Sequence, residues 1–96
     1  MDLEVYIEPE AHQDIQQGVD WYNQQIENLG YKFYDEIENT LNLIQSNPYF
    51  QIRYDQVRCI PLKKFPYMIH FTVHESDQII IIQSILHTSR GHKLLE

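Results

Sequence analysis

Hydrophobic residues change their spacing along this chain, and each change predicts a different secondary structure. Leu3, Val5 and Ile7 alternate with polar residues, which is typical of a short strand with one buried face. From Pro9, a favoured first position of a helix, apolar residues recur every three or four positions. That stripe consists of Ala11, Ile15, Val19, Tyr22, Ile26 and Leu29. We therefore expect a strand followed at once by an amphipathic helix of about five turns.

A second helix is predicted after a very short connection. Gly30 is a natural left-handed stop for the first helix, directly after Asn28-Leu29. The next apolar residues again lie three or four positions apart, at Phe33, Ile37, Leu41 and Ile44. Asn47-Pro48 ends this helix because a residue before proline avoids the helical region. Two helices joined by so short a loop form an antiparallel hairpin.

The second half of the chain returns to alternation and predicts a β-meander. We expect a loop over residues 49–56, a strand over 57–62, and two further strands over Tyr67–His74 and Ile79–His87. The order β-α-α-β-β-β is typical of an α+β fold. The helical hairpin then packs on one face of a small, mostly antiparallel sheet.

Symmetric closure of the last hairpin gives the sheet one apolar face and one polar face. The apolar partners, which suit packing on the helices, are Val73 with Ile80, Phe71 with Ile82, Ile69 with Ser84, and Tyr67 with Leu86. The opposite face collects Met68, His70, Thr72, His74, Gln83 and His87. It is too polar for a second core, so we expect it to be the functional face.

Composition favours one small cytoplasmic domain over residues 1–96. With 43% hydrophobic residues the chain can form a single core, and Leu95-Glu96 is also compatible with a vector-derived remnant. No secretory signal or membrane-spanning run is visible, so no membrane association is expected. The single cysteine, Cys59, suits a reducing compartment and is expected to be a small buried strand residue.

Charge is divided unevenly between the two halves. The net charge is −7, which argues against a free-standing nucleic-acid-binding protein. Ten acidic residues against Lys32 alone give −9 over residues 1–49, whereas six cationic against four acidic residues give +2 over residues 50–96. The basic half can meet an anionic partner, or the acidic helices can simply keep the protein soluble.

No cofactor or metal site is expected. The glycines are scattered, so no phosphate-binding loop is present in the sequence. His70 and His74 share a strand face but lie roughly 13 Å apart along it, too far to ligate one metal ion by themselves.

Short motifs, each weak alone, occur here in an order typical of one protein family. In the first half they are Glu8-Pro9-Glu10-Ala11, Asp14-Ile15, Trp21-Tyr22, Leu29-Gly30, Phe33, Leu41, Ile44 and Asn47-Pro48. In the second half they are Val57-Arg58, Phe65-Pro66-Tyr67, Ile69, Phe71, His87 and Arg90. With these motifs nearly the whole chain resembles the RelE/ParE superfamily, the toxins of bacterial type II toxin–antitoxin systems, with the plasmid-stabilisation type as its best match.

The resemblance implies a toxin that a cognate antitoxin neutralises and that meets operator DNA only through that antitoxin. Members of the superfamily differ in their target. RelE-like toxins cut mRNA in the ribosome, and ParE-like toxins inhibit DNA gyrase through protein–protein contact. The segment over residues 14–33 looks more like the ParE-like branch.

The nuclease alternative assigns roles to five residues. Arg58 and Arg90 would face the phosphate, His87 or His70 would transfer a proton, and Tyr67 would form a hydrogen bond or stack on a base. Four of these residues also have a structural alternative. His87 can end the strand through a backbone hydrogen bond, His70 can be a half-exposed strand residue, Tyr67 can be part of the core or sheet packing, and Arg58 can pair with a carboxylate.

Two features favour gyrase inhibition over RNA cleavage. A net charge of −7 opposes approach to ribosomal RNA, and residues 89–93 contain only a sparse cluster of basic groups. We therefore expect a ParE-like toxin, with a RelE-like ribosome-dependent endoribonuclease and a non-toxic interaction module as alternatives. A free sheet edge would suit a partner strand or helix, or a second copy of the chain.

Overall fold

Two helices and five strands form the described part of this protein. The computed structural model describes residues 3–49 and 52–88. The elements are β1 (Glu4–Ile7), α1 (Pro9–Gln25), α2 (Leu29–Ser46), β2 (Ile52–Tyr54), β3 (Val57–Pro61), β4 (Tyr67–His74) and β5 (Ile79–His87). They confirm the α+β class, the helical hairpin and the three predicted strands of the meander.

The strands form one sheet in the order β1-β5-β4-β3-β2. β1 runs parallel to β5, and the other neighbours are antiparallel. The loop predicted over residues 49–56 was wrong, because it contains the short edge strand β2. A turn at Asp55 and Gln56, with φ of 41° and 68°, connects β2 to β3. Such turns favour Asn-Gly, so this hairpin lacks its usual sequence signal.

The pairing predicted for the last hairpin was right in one half and wrong in the other. Val73 pairs with Ile80 and Phe71 with Ile82, as expected, but Ile69 pairs with Ile85 and Tyr67 with His87. The register shifts because Gln83 is an extra residue in β5, between the partners of Phe71 and His70. A one-residue shift reverses the face of every later side chain. His87 therefore lies on the helix side, not on the predicted polar face.

The connection between the helices also differs from the prediction. The left-handed residue is Asn28, with φ of 69°, and no described glycine has a positive φ. Gly30 instead lies in the first turn of α2, where a Cβ would collide with the carbonyl oxygen of Val19. Its N–H donates to Oδ1 of Asn23 at 2.7 Å. Because α1 ends at Gln25, Ile26 is 64% exposed rather than part of the apolar stripe.

The core lies between the helical hairpin and one face of the sheet. The helices contribute Ala11, Ile15, Phe33, Ile37 and Ile44, and the sheet contributes mainly Ile60, Ile69, Phe71, Ile80, Ile82 and Ile85. Gly18 of α1 is buried against the ring of Phe33, where a Cβ would collide with that ring. The glycine that weakens α1 as an isolated helix is thus required for close helix packing.

Candidate functional site

A cleft of about 560 Å³ opens between α1 and the carboxyl end of β5. Two aromatic motifs from the sequence meet there, one on α1 and one at the start of β4. Its walls are Asp14, Gln17, Gly18, Trp21, Tyr22, Pro66, Tyr67, Ile85, Leu86 and His87. Of the predicted site residues, the structure therefore brings together Tyr67 and His87.

The cross-strand pair Tyr67–His87 forms one wall of the cleft. The two rings meet edge to face with centroids 5.3 Å apart. Tyr67 also packs on Phe33 at 4.9 Å, so its ring belongs to the core as well as to the cleft. The extra residue Gln83 creates this pair, because the regular register would have placed Leu86 opposite Tyr67.

An aromatic cluster continues from this pair to the surface. Tyr22 lies 4.9 Å from Phe65 and 5.0 Å from Trp21, measured between ring centroids. Burial, and then the neighbouring phenol of Tyr67, raise the pKa of Tyr22. Trp21 is 53% exposed at the rim of the cleft. A half-exposed indole beside a concave surface is typical of a contact residue for a protein partner.

Asp14 connects α1 to β5 at the floor of the cleft. Its Oδ2 accepts a hydrogen bond from the backbone N–H of Ile85 at 3.0 Å. Strand β1 runs beside β5 only as far as Ile82, whose carbonyl oxygen accepts from the N–H of Glu8. Beyond that point the carboxylate of Asp14 takes the place of a strand partner. A carboxylate one turn into a helix that follows an edge strand is a signal that could have predicted this contact.

Arg58 lies well away from His87. Arg58 pairs with Phe71 and His87 with Tyr67, four positions apart on β4, and the two residues flank β4 on opposite sides. Strand geometry therefore puts their Cα atoms roughly 16 Å apart. The guanidinium carbon of Arg58 lies 5.5 Å from the ring centroid of Tyr49, a cation–π distance.

His70 lies on the sheet face turned away from the helices, whereas Arg58 and His87 pair with residues of the opposite face. It is 1% exposed, so the expectation of a half-exposed histidine on a functional face was wrong. The unpredicted strand β2 explains the burial, because Tyr54 of that strand contacts the imidazole. Cys59 is buried beside it, as expected for a small strand residue. Arg90, the remaining predicted site residue, lies outside the described residues.

A second concave surface of about 480 Å³ runs between α1 and α2. Ile15 and Ile37 lie in it, and Tyr31 and Tyr34 are 60% and 42% exposed at its side. Within the described part of the chain, no three His, Cys, Asp or Glu side chains could hold a metal ion. None of the described helices has the length and apolar character needed to cross a bilayer.

Comparison with known protein families identifies the chain. The model of the ParE toxin of type II toxin–antitoxin systems, parDE, matches residues 5–91. The chain belongs to the ParE toxin family. Comparison with proteins of curated function gave no significant match.

Solved structures of toxins share the fold of this ParE family member. A chain of the chromosomal ParDE system from P. aeruginosa superposes with a TM-score of 0.77 at 20% identity, covering 88% of this chain and 95% of that one. A mutant of the E. coli toxin RelE in the free state gives 0.72 at 11% identity, covering 96% and 90%. A chain of the intact E. coli RelBE toxin–antitoxin complex gives 0.69 at 12% identity, covering 88% and 94%.

Proposed function

We propose that this ParE family toxin inhibits DNA gyrase by protein–protein contact and that a cognate antitoxin neutralises it. The observation that carries the choice of target is the separation of the candidate catalytic groups. RNA cleavage needs a cation beside the group that transfers the proton. The Cα atoms of Arg58 and His87 lie roughly 16 Å apart, and His70 is buried on the other face of the sheet. Among the described residues that line the cleft, Asp14 alone carries a formal charge.

The cleft offers features of a protein-contact surface. Trp21 is half-exposed at its rim, and the phenol of Tyr67 and the imidazole of His87 provide polar atoms on an aromatic wall. Tryptophan and tyrosine dominate the binding energy of many protein interfaces. The groove between the helices, with its exposed Tyr31 and Tyr34, is a second surface of this kind and suits an amphipathic segment of the antitoxin.

The target can be tested by expressing the chain alone and with the protein encoded beside it. We expect growth arrest that the neighbour relieves, intact mRNA during arrest, and loss of supercoiling activity when the purified chain is added to gyrase. Arg58→Gln serves as the control, because Arg58 lies outside the cleft and has a phosphate-binding role only in the nuclease alternative. Its arrest should equal that of the parent chain.

Other results would contradict the proposal. Cleaved mRNA with unaffected gyrase, together with loss of arrest in Arg58→Gln, would establish the endoribonuclease alternative. Absence of arrest, with no effect on either target, would favour the non-toxic interaction module.

A further inference from the structure

A buried polar cluster lies on the sheet face turned away from the helices, apart from the cleft. Its centre is His70 of β4, which pairs with Cys59 of β3. The side chain of Tyr54, from the edge strand β2, reaches the same imidazole. None of these three residues belongs to the hydrophobic core between helices and sheet. Neither the cleft nor the proposed gyrase contact uses them.

The described side-chain hydrogen bonds of His70 involve only one of its ring nitrogens. Its Nδ1 lies 3.0 Å from Oη of Tyr54 and 3.3 Å from Sγ of Cys59. Its Nε2 is buried and has no hydrogen-bond partner among residues 3–49 and 52–88. A neutral imidazole can tolerate this arrangement, because the proton can reside on Nδ1 and leave only a bare lone pair at Nε2. An imidazolium carries N–H groups at both nitrogens. The N–H at Nε2 would then be a buried donor without an acceptor, and the ring would also carry a buried positive charge.

The surrounding groups do not compensate a charge on His70. Ser84 is its partner on β5, and Thr72 and His74 on its own strand bond to each other at 2.9 Å. Arg53 of β2 is close enough to lower the pKa of Cys59, although burial raises that pKa more. Asp55 acts on Tyr54, whose pKa is raised mainly by burial. Among the residues that the structure describes, no carboxylate bonds to the imidazole.

The edge strand is the part of this cluster with the fewest other contacts. β2 has three residues and pairs with β3 at two positions with an irregularity between them. The turn that follows requires left-handed conformations at Asp55 and Gln56, neither of which is glycine. Elements with few buried contacts open before the rest of a domain. Opening β2 would remove Tyr54 from the imidazole and is therefore the easiest way to expose the ring to water.

We propose that His70 is an acid-sensitive latch: the neutral imidazole holds β2 closed over the sheet, and its protonation releases this edge. Burial lowers the pKa of His70 below its ordinary value of 6.5. The unfolded or open chain takes up the proton near that ordinary value, while the closed chain resists it. Stability contributed by the latch is thus complete above about pH 6.5 and decreases as the pH falls below it. This device is independent of the target of the toxin.

The test compares unfolding by urea at about pH 7.5 and about pH 5.5. Over this range, one histidine that stays neutral in the folded state can lower the folding constant at most about tenfold. His70→Asn keeps a hydrogen-bonding atom near the position of Nδ1 and cannot titrate. His74→Asn is the matched control, because His74 is exposed on the same strand. Between the two pH values, the folding constant of the parent and of His74→Asn should decrease by a factor about five to ten times larger than the factor for His70→Asn.

Hydrogen exchange of the parent protein tests where the structure opens and does not depend on folding of the variant. After correction for intrinsic rates, amides of β2 and its partners on β3 should lose protection at the lower pH before those of β4 and β5. An NMR titration should show His70 protonating below the range of an ordinary histidine. Equal acid sensitivity in parent and His70→Asn, uniform loss of protection, or ordinary titration of His70 would each overturn the latch.

Discussion

Replacing Asp14 by alanine should destabilise the protein because it removes the acceptor for the N–H of Ile85. Ile85 is 1% exposed, so its amide has little access to water while the Asp14 side chain is in place. A hydrogen bond to a charged group contributes about 1.5–3 kcal/mol, and a buried donor left unpaired costs about 1–3 kcal/mol. The two figures describe partly the same loss and cannot be added, so we expect the free energy of unfolding to decrease by about 2–3 kcal/mol. For a domain of this size that lowers Tm by about 10–20 °C.

The assay is urea unfolding followed by circular dichroism, with thermal melting as a second measurement. Asp14→Asn keeps a neutral acceptor at the same place and should lose only about 1 kcal/mol. Asp20→Ala is the matched control on the same helix, because its exposed carboxylate accepts a hydrogen bond from the exposed side chain of Gln16. It should change stability by no more than about 0.5 kcal/mol. If Asp14→Ala were as stable as Asp20→Ala, the carboxylate would not be replacing a strand partner.

Three further variants test the fold and the cleft. Gly30→Ala places a Cβ against the carbonyl oxygen of Val19 and should cost about 2 kcal/mol of unfolding free energy, measured in urea; an unchanged midpoint would contradict the close helix contact. Ile26→Gln should change the free energy of unfolding by less than about 0.5 kcal/mol, since Ile26 is 64% exposed. A larger loss would indicate that Ile26 packs in the core. Trp21→Ala should raise the concentration needed for gyrase inhibition about tenfold or more while Tm changes little; unchanged inhibition would remove the rim of the cleft from the contact.

The strongly periodic parts of the sequence predicted their structures well. The bounds of β4 and β5 were as expected, because alternation over Tyr67–His74 and turn residues before Ile79 leave few alternatives. The end of α2 before Pro48 followed from proline sterics. Failures occurred where periodicity gives no signal. β2 has only three residues, and Gly30 was assigned to conformational freedom when its actual function is close packing.

The register of the last hairpin shows why the candidate site could not be assembled from sequence. The four residues from Ile79 to Ile82 are all isoleucine, so this part of β5 could turn either face toward the core. The phase of the pattern changes only after Gln83, where Ile85 rather than Ser84 enters the core. Symmetric closure ignored that change and put His87 with His70. In the structure these histidines lie on opposite faces of the sheet. His87 lines the cleft, and His70 lies in the buried polar cluster.

The same bulge also determines which substitutions can separate function from folding. Tyr67 and His87 meet only because Gln83 shifts the register, and the N–H of Ile85 donates to Asp14 for the same reason. Tyr67 packs on Phe33 within the core, so a change at Tyr67 alters the cleft and the stability together. Trp21 borders the same cleft but is 53% exposed, so replacing it removes less packing and should affect stability less. Reduced inhibition in a Tyr67 variant would therefore be ambiguous, whereas reduced inhibition in a stable Trp21 variant would locate the contact surface.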